Sequence, residues 1–194
     1  MSMRSDPKKK RRAGILSRRD FLRAGALALG ACMCPKPLLA ALDETSFPER
    51  CLSFYNVHTG EALNAVYWSV DGYVPEALDD INHILRDFRT GEIKPIEPSL
   101  LDLLHTLRTS LGTQESLHVI SGYRSPETNA VLREKSLGVA EKSLHIEGRA
   151  ADIRLPGYST RDLHQAALAL GVGGVGYYPT SDFVHVDTGP VRSW

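Results

Sequence analysis

Cysteine is nearly absent from most of this chain. Of the three in 194 residues, Cys32 and Cys34 fall in an N-terminal stretch with the character of a removable leader, which leaves Cys51 alone. A single thiol excludes an intramolecular disulfide and any cysteine-based metal cluster. Cys51 reads as a small apolar residue opening a strand, with pairing to another chain as the other option. A membrane-length apolar run is missing as well: the stretch from Ala24 to Met33 is broken off by Pro35, Lys36 and Pro37, short of the roughly 18 residues a span requires. Net charge is also missing, with 23 Lys and Arg against 23 Asp and Glu, but the balance is uneven along the chain. Residues 1–41 hold ten of the basic side chains and two of the acidic ones, so residues 42–194 carry 13 against 21, formally −8. An acidic remainder argues against non-specific nucleic-acid binding, which depends on Lys and Arg replacing phosphate counterions.

What is present at the N-terminus is a basic stretch, Lys8-Lys9-Lys10-Arg11-Arg12, then Ser17-Arg18-Arg19-Asp20-Phe21-Leu22-Arg23, then the apolar run. This order reads as a twin-arginine signal, implying passage through the twin-arginine translocase to the periplasm. A nuclear-localisation or nucleic-acid patch explains Lys8 to Arg12 less well, because an uncharged apolar run of signal-peptide length follows. Cleavage near Ala40 or Ala41 divides the chain into a signal, 1–41, and one domain, 42–194, large enough to bury a core without disulfides. Leu29-Gly30-Ala31-Cys32 offers an alternative, a lipid anchor at Cys32, against which the short apolar stretch after Arg23 counts.

In the remainder, Leu52 to Asn56 and Leu63 to Trp68 flank His58-Thr59-Gly60-Glu61 as a β-hairpin, which makes His58 a turn residue. From Pro75 the spacing of Leu78, Ile81, Ile84, Leu85 and Phe88 is helical, with Gly91 as the stop, and a second helix runs from Pro98 to about Leu111 on Leu100, Leu101, Leu103, Leu104 and Leu107. His83 and His105 fall on these helices without a partner at one-turn spacing, so solvated or capping roles suit them better than ligation. Leu117 to Ile120 reads as a strand, Ser125-Pro126 as a helix start ending near Gly138, Ala151 to Leu155 as a strand, and Ser159-Thr160-Arg161-Asp162 as a capping box for a helix ended by Gly171. Phe183 to Asp187 is a last strand. The order predicts an α+β fold, with a small antiparallel sheet flanked by helices.

The chemistry-bearing residues cluster late. His145-Ile-Glu-Gly148-Arg-Ala150-Ala-Asp152 is followed by Asp182-Phe-Val-His185-Val-Asp187, and Ser121-Gly122-Tyr123-Arg124-Ser125 precedes both. His145, Asp152 and His185 are candidate ligands for Zn2+, since two imidazoles and one carboxylate leave the fourth tetrahedral position open, as in catalytic sites. On residue chemistry alone, an unrelated polar set with a satisfied strand histidine at His185 stays open beside metal ligation. Gly171-Val-Gly173-Gly174-Val-Gly176 matches a dinucleotide fingerprint in letters, but it follows a helix and enters a strand, the reverse of what that motif requires. Ser121, Ser143 and Ser181 lack the strand-to-helix elbow of a serine hydrolase.

Three segments together, Ser-Gly-Tyr-Arg-Ser at 121 to 125, Ser143-x-His145-x-x-Gly148-x-Ala150-x-Asp152 and Phe183-Val-His185-Val-Asp187-Thr-Gly189, resemble the zinc D-alanyl-D-alanine peptidases, whose fold is shared with lysostaphin-type enzymes and the hedgehog signalling domain. Arg89-Thr-Gly-Glu92 adds a likeness to their exported murein endopeptidases. The resemblance implies a zinc metallopeptidase acting on the stem peptides of peptidoglycan, with His145, Asp152 and His185 as metal ligands, Asp182 as the catalytic acidic residue, Arg124 as the cation for the oxyanion, and Ser143 as a hydroxyl that holds substrate. In an uninterrupted strand Asp187 shares a face with His185 while Asp182 points the other way, so Asp182 serves as base only if residues 180 to 182 are still turn. Asp187 is then either a partner orienting His185 or a structural carboxylate. A D,D- or L,D-carboxypeptidase, a non-catalytic peptidoglycan-binding module and a non-haem iron oxygenase are the alternatives. No stable protein partner is implied.

Overall fold

The computed structural model describes residues 49–135 and 139–194. The expected signal, its cleavage point, Cys32, Cys34 and the helix stop at Gly138 therefore lie outside the described residues. Strands β1 (Arg50–Asn56) and β2 (Ala62–Ser69) form the expected antiparallel hairpin. Their alternation buries Leu52, Phe54, Ala65 and Tyr67 on one side. The turn is built by Asn56, whose side-chain oxygen accepts from the N–H groups of His58 and Thr59 at 3.0 and 3.3 Å, an Asx turn that leaves Gly60 in the left-handed region at φ 73°. His58 is a turn residue as expected, its ring stacked on Phe88. Cys51 is a free thiol near the start of β1. A short β3 (Gly72–Tyr73) extends the hairpin.

Helix α1 (Pro75–Ile84) starts at a proline in its first turn and buries Ile81 and Ile84. It stops earlier than the apolar spacing predicts. Leu85 and Phe88 lie beyond its end because the backbone turns at Asp87, which bonds to Glu92 and Gly91 across a tight loop, and the carbonyl of Leu85 accepts from the Tyr123 N–H at 2.7 Å. Helix α2 (Pro98–Ser110) buries the expected leucines together with Arg108. Strand β4 (Leu117–Ser121), helix α3 (Pro126–Lys135), strand β5 (Ala150–Arg154), helix α4 (Thr160–Leu170), strands β6 (Gly174–Tyr178) and β7 (Phe183–Asp187), and a short β8 (Arg192–Ser193) complete the chain. The capping box of α4 is formed, Ser159 Oγ accepting from Asp162 N–H at 3.1 Å, and Gly171 ends the helix at φ 64°.

The class is α+β, but the sheet is larger than the pattern suggested and it is mixed. Its order is β3-β2-β1-β4-β5-β7-β6-β8, with β1 parallel to β4 and β6 parallel to β8. The two short strands, β3 and β8, carry no period to read. One apolar cluster draws Leu52, Phe54, Leu100, Leu104, Ile153, Leu163 and Val184 from both halves of the sheet and the helices. At roughly 25 cal/mol per Å2 of apolar surface, burial of this kind is the main favourable term holding the strands in register. No helix among the described residues is long and apolar enough to cross a membrane.

Candidate metal centre

The central strands bring the site together. In the antiparallel pair of β5 and β7, Asp152 lies directly opposite His185, so the two side chains emerge on one face about 5 Å apart at the backbone. On the other flank β4 pairs with β5, placing Ser121 opposite Asp152. His145 arrives from the loop before β5, where successive turn bonds join Ser143 to Ile146, Leu144 to Glu147 and His145 to Gly148. Gly148 closes this loop at φ 71°, and a Cβ there would lie 2.4 Å from the carbonyl oxygen of Pro95. The sequence Ser-x-His-x-x-Gly-x-Ala-x-Asp is thus a tight loop leading into a strand, spaced to carry His145 back over Asp152.

The three side chains converge. His145 Nε2 lies 3.2 Å from His185 Nδ1 and 3.3 Å from Asp152 Oδ1, and His185 Nδ1 lies 2.8 Å from the same carboxylate oxygen. All three residues are buried. The far nitrogen of each ring is engaged outside the cluster. His145 Nδ1 is 2.7 Å from the carbonyl oxygen of Gly122, which can only accept, so Nδ1 carries the proton and Nε2 turns a lone pair inward. His185 Nε2 lies 3.0 Å from Asp187 Oδ2, which directs its Nδ1 inward in the same sense. Fixing the outward N–H in this way is how proteins set the tautomer of a metal-binding imidazole. Tetrahedral zinc with bonds of about 2.0–2.1 Å places its donors roughly 3.3 Å apart, close to the separations here, and the donor set is the one catalytic zinc uses. The residues fit the metal.

Charge balance in the cluster follows from burial. The Asp152 carboxyl is penalised by desolvation, but the two histidines more than offset this and hold it far below the usual carboxylate range. Burial works against a charged His185, yet its hydrogen bonds to Asp152 and Asp187 push it up to about 9. A divalent ion bound among these groups would supply positive charge to the two carboxylates directly.

Asp187 is fully buried. Besides His185 it accepts from the N–H groups of Gly174 and Gly189 at 2.9 and 2.8 Å, and from Arg192 at 3.2 and 2.6 Å. Gly173 and Gly174 owe their place to this packing: a Cβ on Gly173 would lie 1.6 Å from the Asp187 carbonyl oxygen, and one on Gly174 would lie 2.5 Å from the Asp187 carboxylate.

Arg124 sits beside the cluster, its Nη2 3.5 Å from Asp152 Oδ2, with weak bonds to Asn129 and Ser121 at 3.4 Å and a buried Nε that has no partner. Burial lowers its pKa, against the pull of Asp152, but an arginine stays charged. Ser143 and Arg124 line a cavity of about 310 Å3 that also exposes His145, Asp152 and His185. Lys142, Tyr178, Phe183, Arg192 and Trp194 form further walls. Of these, Lys142, Tyr178, Arg192 and Trp194 escaped the sequence reading; the one available signal was that Arg192 and Trp194 closely follow the His185-x-Asp187 segment.

Asp182 is placed differently from the expectation. The backbone condition is met, since Pro179–Ser181 is a 3-10 turn and Asp182 sits at its end at φ 53°. The side chain, however, points away from the cluster. It accepts from Thr160 Oγ1 at 2.5 Å and Arg154 Nη1 at 3.2 Å, is 61% exposed, and is not among the cavity-lining residues although Ser181 and Phe183 are. Arg154 on the outer end of β5 and Thr160 at the start of α4 draw the carboxylate outward.

A buried His-Asp-His set opening on a cavity, with Asp152 and His185 on paired central strands and His145 on the loop before them, has the donors of a metal-dependent enzyme. The chain belongs to the peptidase family described as Peptidase_M15_2, peptidoglycan L,D-endopeptidase MepK, whose model matches residues 44–194. It is 47% identical over 178 residues to the peptidoglycan L,D-endopeptidase MepK of Escherichia coli K12, covering 92% of this chain and 97% of that protein. It is 41% identical over 179 residues to a probable protein of the same name from Haemophilus influenzae, covering 92% and 95%. Membership in a peptidase family removes the oxygenase reading.

Proposed function

We propose that this protein is a zinc-dependent murein endopeptidase that hydrolyses L,D cross-links between stem peptides of peptidoglycan, the activity named for its relatives. The observation that carries the reading is the inward convergence of His145 Nε2, His185 Nδ1 and Asp152 Oδ1, each ring fixed from behind by Gly122 or Asp187. His145, Asp152 and His185 would hold the zinc. When bound, zinc supplies Lewis acidity and brings a coordinated water toward a pKa of about 7. Asp187 keeps the His185 ring oriented. Arg124, largely buried and incompletely bonded, receives the negative charge that develops on the scissile carbonyl oxygen, and Ser143 offers a hydroxyl to the substrate backbone.

The proton acceptor must be a carboxylate that is free to act. Asp152 is committed to the histidines and Asp187 to its donors, so neither carboxylate lining the cavity is free. Asp182, between the lining residues Ser181 and Phe183, is the acid that a side-chain rotation brings to the rim: leaving Thr160 and Arg154, it accepts the proton of the attacking water and returns it to the departing amine. Its ion pair with Arg154 is exposed, the class worth about 0–1 kcal/mol, and its bond from Thr160 is exposed as well, so water can replace both partners.

The substrate lies outside the cytoplasm, in accord with the twin-arginine pattern at Arg18 and Arg19 and export to the periplasm. The test is digestion of purified sacculi by the zinc-loaded protein with mass identification of the products. Loss of stem peptides cross-linked through L,D bonds, with the separated stems appearing in their place, supports the proposal; loss of terminal D-alanine alone assigns a carboxypeptidase, and binding without release assigns a binding module.

A further inference from the structure

The cavity is opposite in charge to the domain that carries it. Residues 42–194 are acidic, 13 basic side chains against 21 acidic, yet neither carboxylate in the cavity wall is available to a ligand: Asp152 is enclosed by the histidines and Asp187 is fully buried. The cations are placed in the opposite manner. Arg192 lines the cavity with 43% of its side chain exposed, and Lys142 lines it exposed, with no ion pair among the described residues. Cations that face solvent in a cleft with low-dielectric walls concentrate anions there.

Arg192 is also oriented to a degree that a surface arginine is not. Its Nη1 and Nη2 grip both oxygens of Asp187, Nη1 donates to the carbonyl of Pro190 at 3.0 Å, and the guanidinium lies 5.0 Å from the centroid of the Trp194 ring. The indole is itself pinned, Nε1 donating to Tyr178 Oη at 2.7 Å. Room for both depends on glycine: a Cβ on Gly174 would lie 2.5 Å from Arg192 Nη1, and one on Gly176 would lie 2.8 Å from Trp194 and Tyr178. Asp187 already has two backbone donors and His185, so it is well held without such an elaborate mounting for Arg192. A planar fork fixed on one edge and open on the other suits a second carboxylate.

We propose that Arg192, with Lys142 also lining the cavity, is a receptor for a free carboxylate carried by the peptide substrate next to the cleaved bond, so that the site selects anionic peptides. The inference rests on the endopeptidase reading and deepens it. A charge-assisted hydrogen bond of this kind corresponds to about 10-fold or more in affinity.

The test uses two synthetic cross-linked peptides that differ only in whether the carboxylates flanking the scissile bond are free or amidated. Wild-type enzyme should show a KM about 10-fold or more higher for the amidated peptide with a smaller change in kcat. In Arg192→Gln, with zinc content measured in parallel, that discrimination should shrink to within about two-fold, and Lys142→Gln should reduce it in part. Equal KM values for the two peptides with wild-type enzyme overturn the proposal, as does undiminished discrimination in Arg192→Gln. If Arg192→Gln fails to fold or to hold zinc, wild type and Lys142→Gln still decide. If wild type cleaves neither peptide, the endopeptidase reading falls, and calorimetric binding of the two peptides to the same zinc-loaded protein decides the carboxylate receptor separately: equal affinities overturn it.

Discussion

Replacing Asp187 with Asn separates orientation of the metal site from proton transfer. The carboxylate accepts five hydrogen bonds, three on Oδ1 from Gly174, Gly189 and Arg192, and two on Oδ2 from His185 and Arg192. An asparagine of nearly the same shape keeps its oxygen on the two backbone donors and turns its NH2 toward His185 Nε2 and Arg192, where donor meets donor. Arg192 is partly exposed and recovers water. His185 is buried and does not, so the bond lost without replacement is its charge-assisted one, about 1.5–3 kcal/mol. That translates into zinc affinity about 10- to 100-fold weaker, the range seen when such outer partners are removed. Competition against a chromophoric chelator reads the affinity directly, and turnover at saturating zinc reads the chemistry. The Asn variant should regain much of its kcat once zinc is saturating. Unchanged zinc affinity would refute the orienting role, and a zinc-loaded but inactive variant would assign the base to Asp187.

Asp182→Asn should retain zinc and lose kcat by about 100-fold or more; Asn tolerates the left-handed backbone at this position as well as Asp does, so a normal melting curve with near-normal turnover would reject Asp182 as the proton acceptor. His145→Ala should abolish zinc binding and activity while leaving far-ultraviolet circular dichroism largely native, and full zinc occupancy would remove it from the ligand set. Asp87, 2% exposed, is pushed up by burial but brought to about 2 from 3.8 by hydrogen bonds from Thr128, Ser125 and Arg89. Its folded pKa is depressed, so its contribution of about 2 kcal/mol is present above pH 4 and lost as pH falls toward 2; acid titration of stability should show a shallower decline for Asp87→Asn. Replacing Arg18 and Arg19 with Lys should retain the precursor in the cytoplasm, and unchanged periplasmic yield would rule out the twin-arginine route.

The hairpin, the leucine face of α2, the capped α4 and the last strand were legible because each has a local cause: alternation, 3.6-residue spacing, a cap or a stop. The end of α1 was not, because Leu85 and Phe88 continue the apolar rhythm while the actual stop is set by bonds from Asp87 and Leu85 to distant loop residues. Residue type and spacing made His145, Asp152 and His185 a candidate triad beside an unrelated polar set, whereas the pairing of Asp152 opposite His185 is a matter of strand register. The direction of Asp182 was hidden for a related reason. Strand period says which face a residue takes, but at a turn the side chain follows its available partners, and Thr160 and Arg154 come from elements remote in sequence.

These placements divide the site into a rigid part and a movable part. Each metal-directed imidazole is gripped at its outer nitrogen by an acceptor that cannot easily leave, one a backbone carbonyl held by the close approach of Gly122 to Leu85, where a Cβ would lie 2.4 Å from the Leu85 carbonyl oxygen, the other a carboxylate sunk among five donors. The proposed base lies instead at the end of a short turn, exposed and held by partners that water can replace. Rigidity where donors must converge lowers the reorganisation needed to bind a cation, and freedom at the rim lets a carboxylate first accept and then deliver a proton at two different atoms of the substrate. The fold achieves this by placing the ligands on paired strands and a tight loop, and the acid at the junction between a turn and a strand.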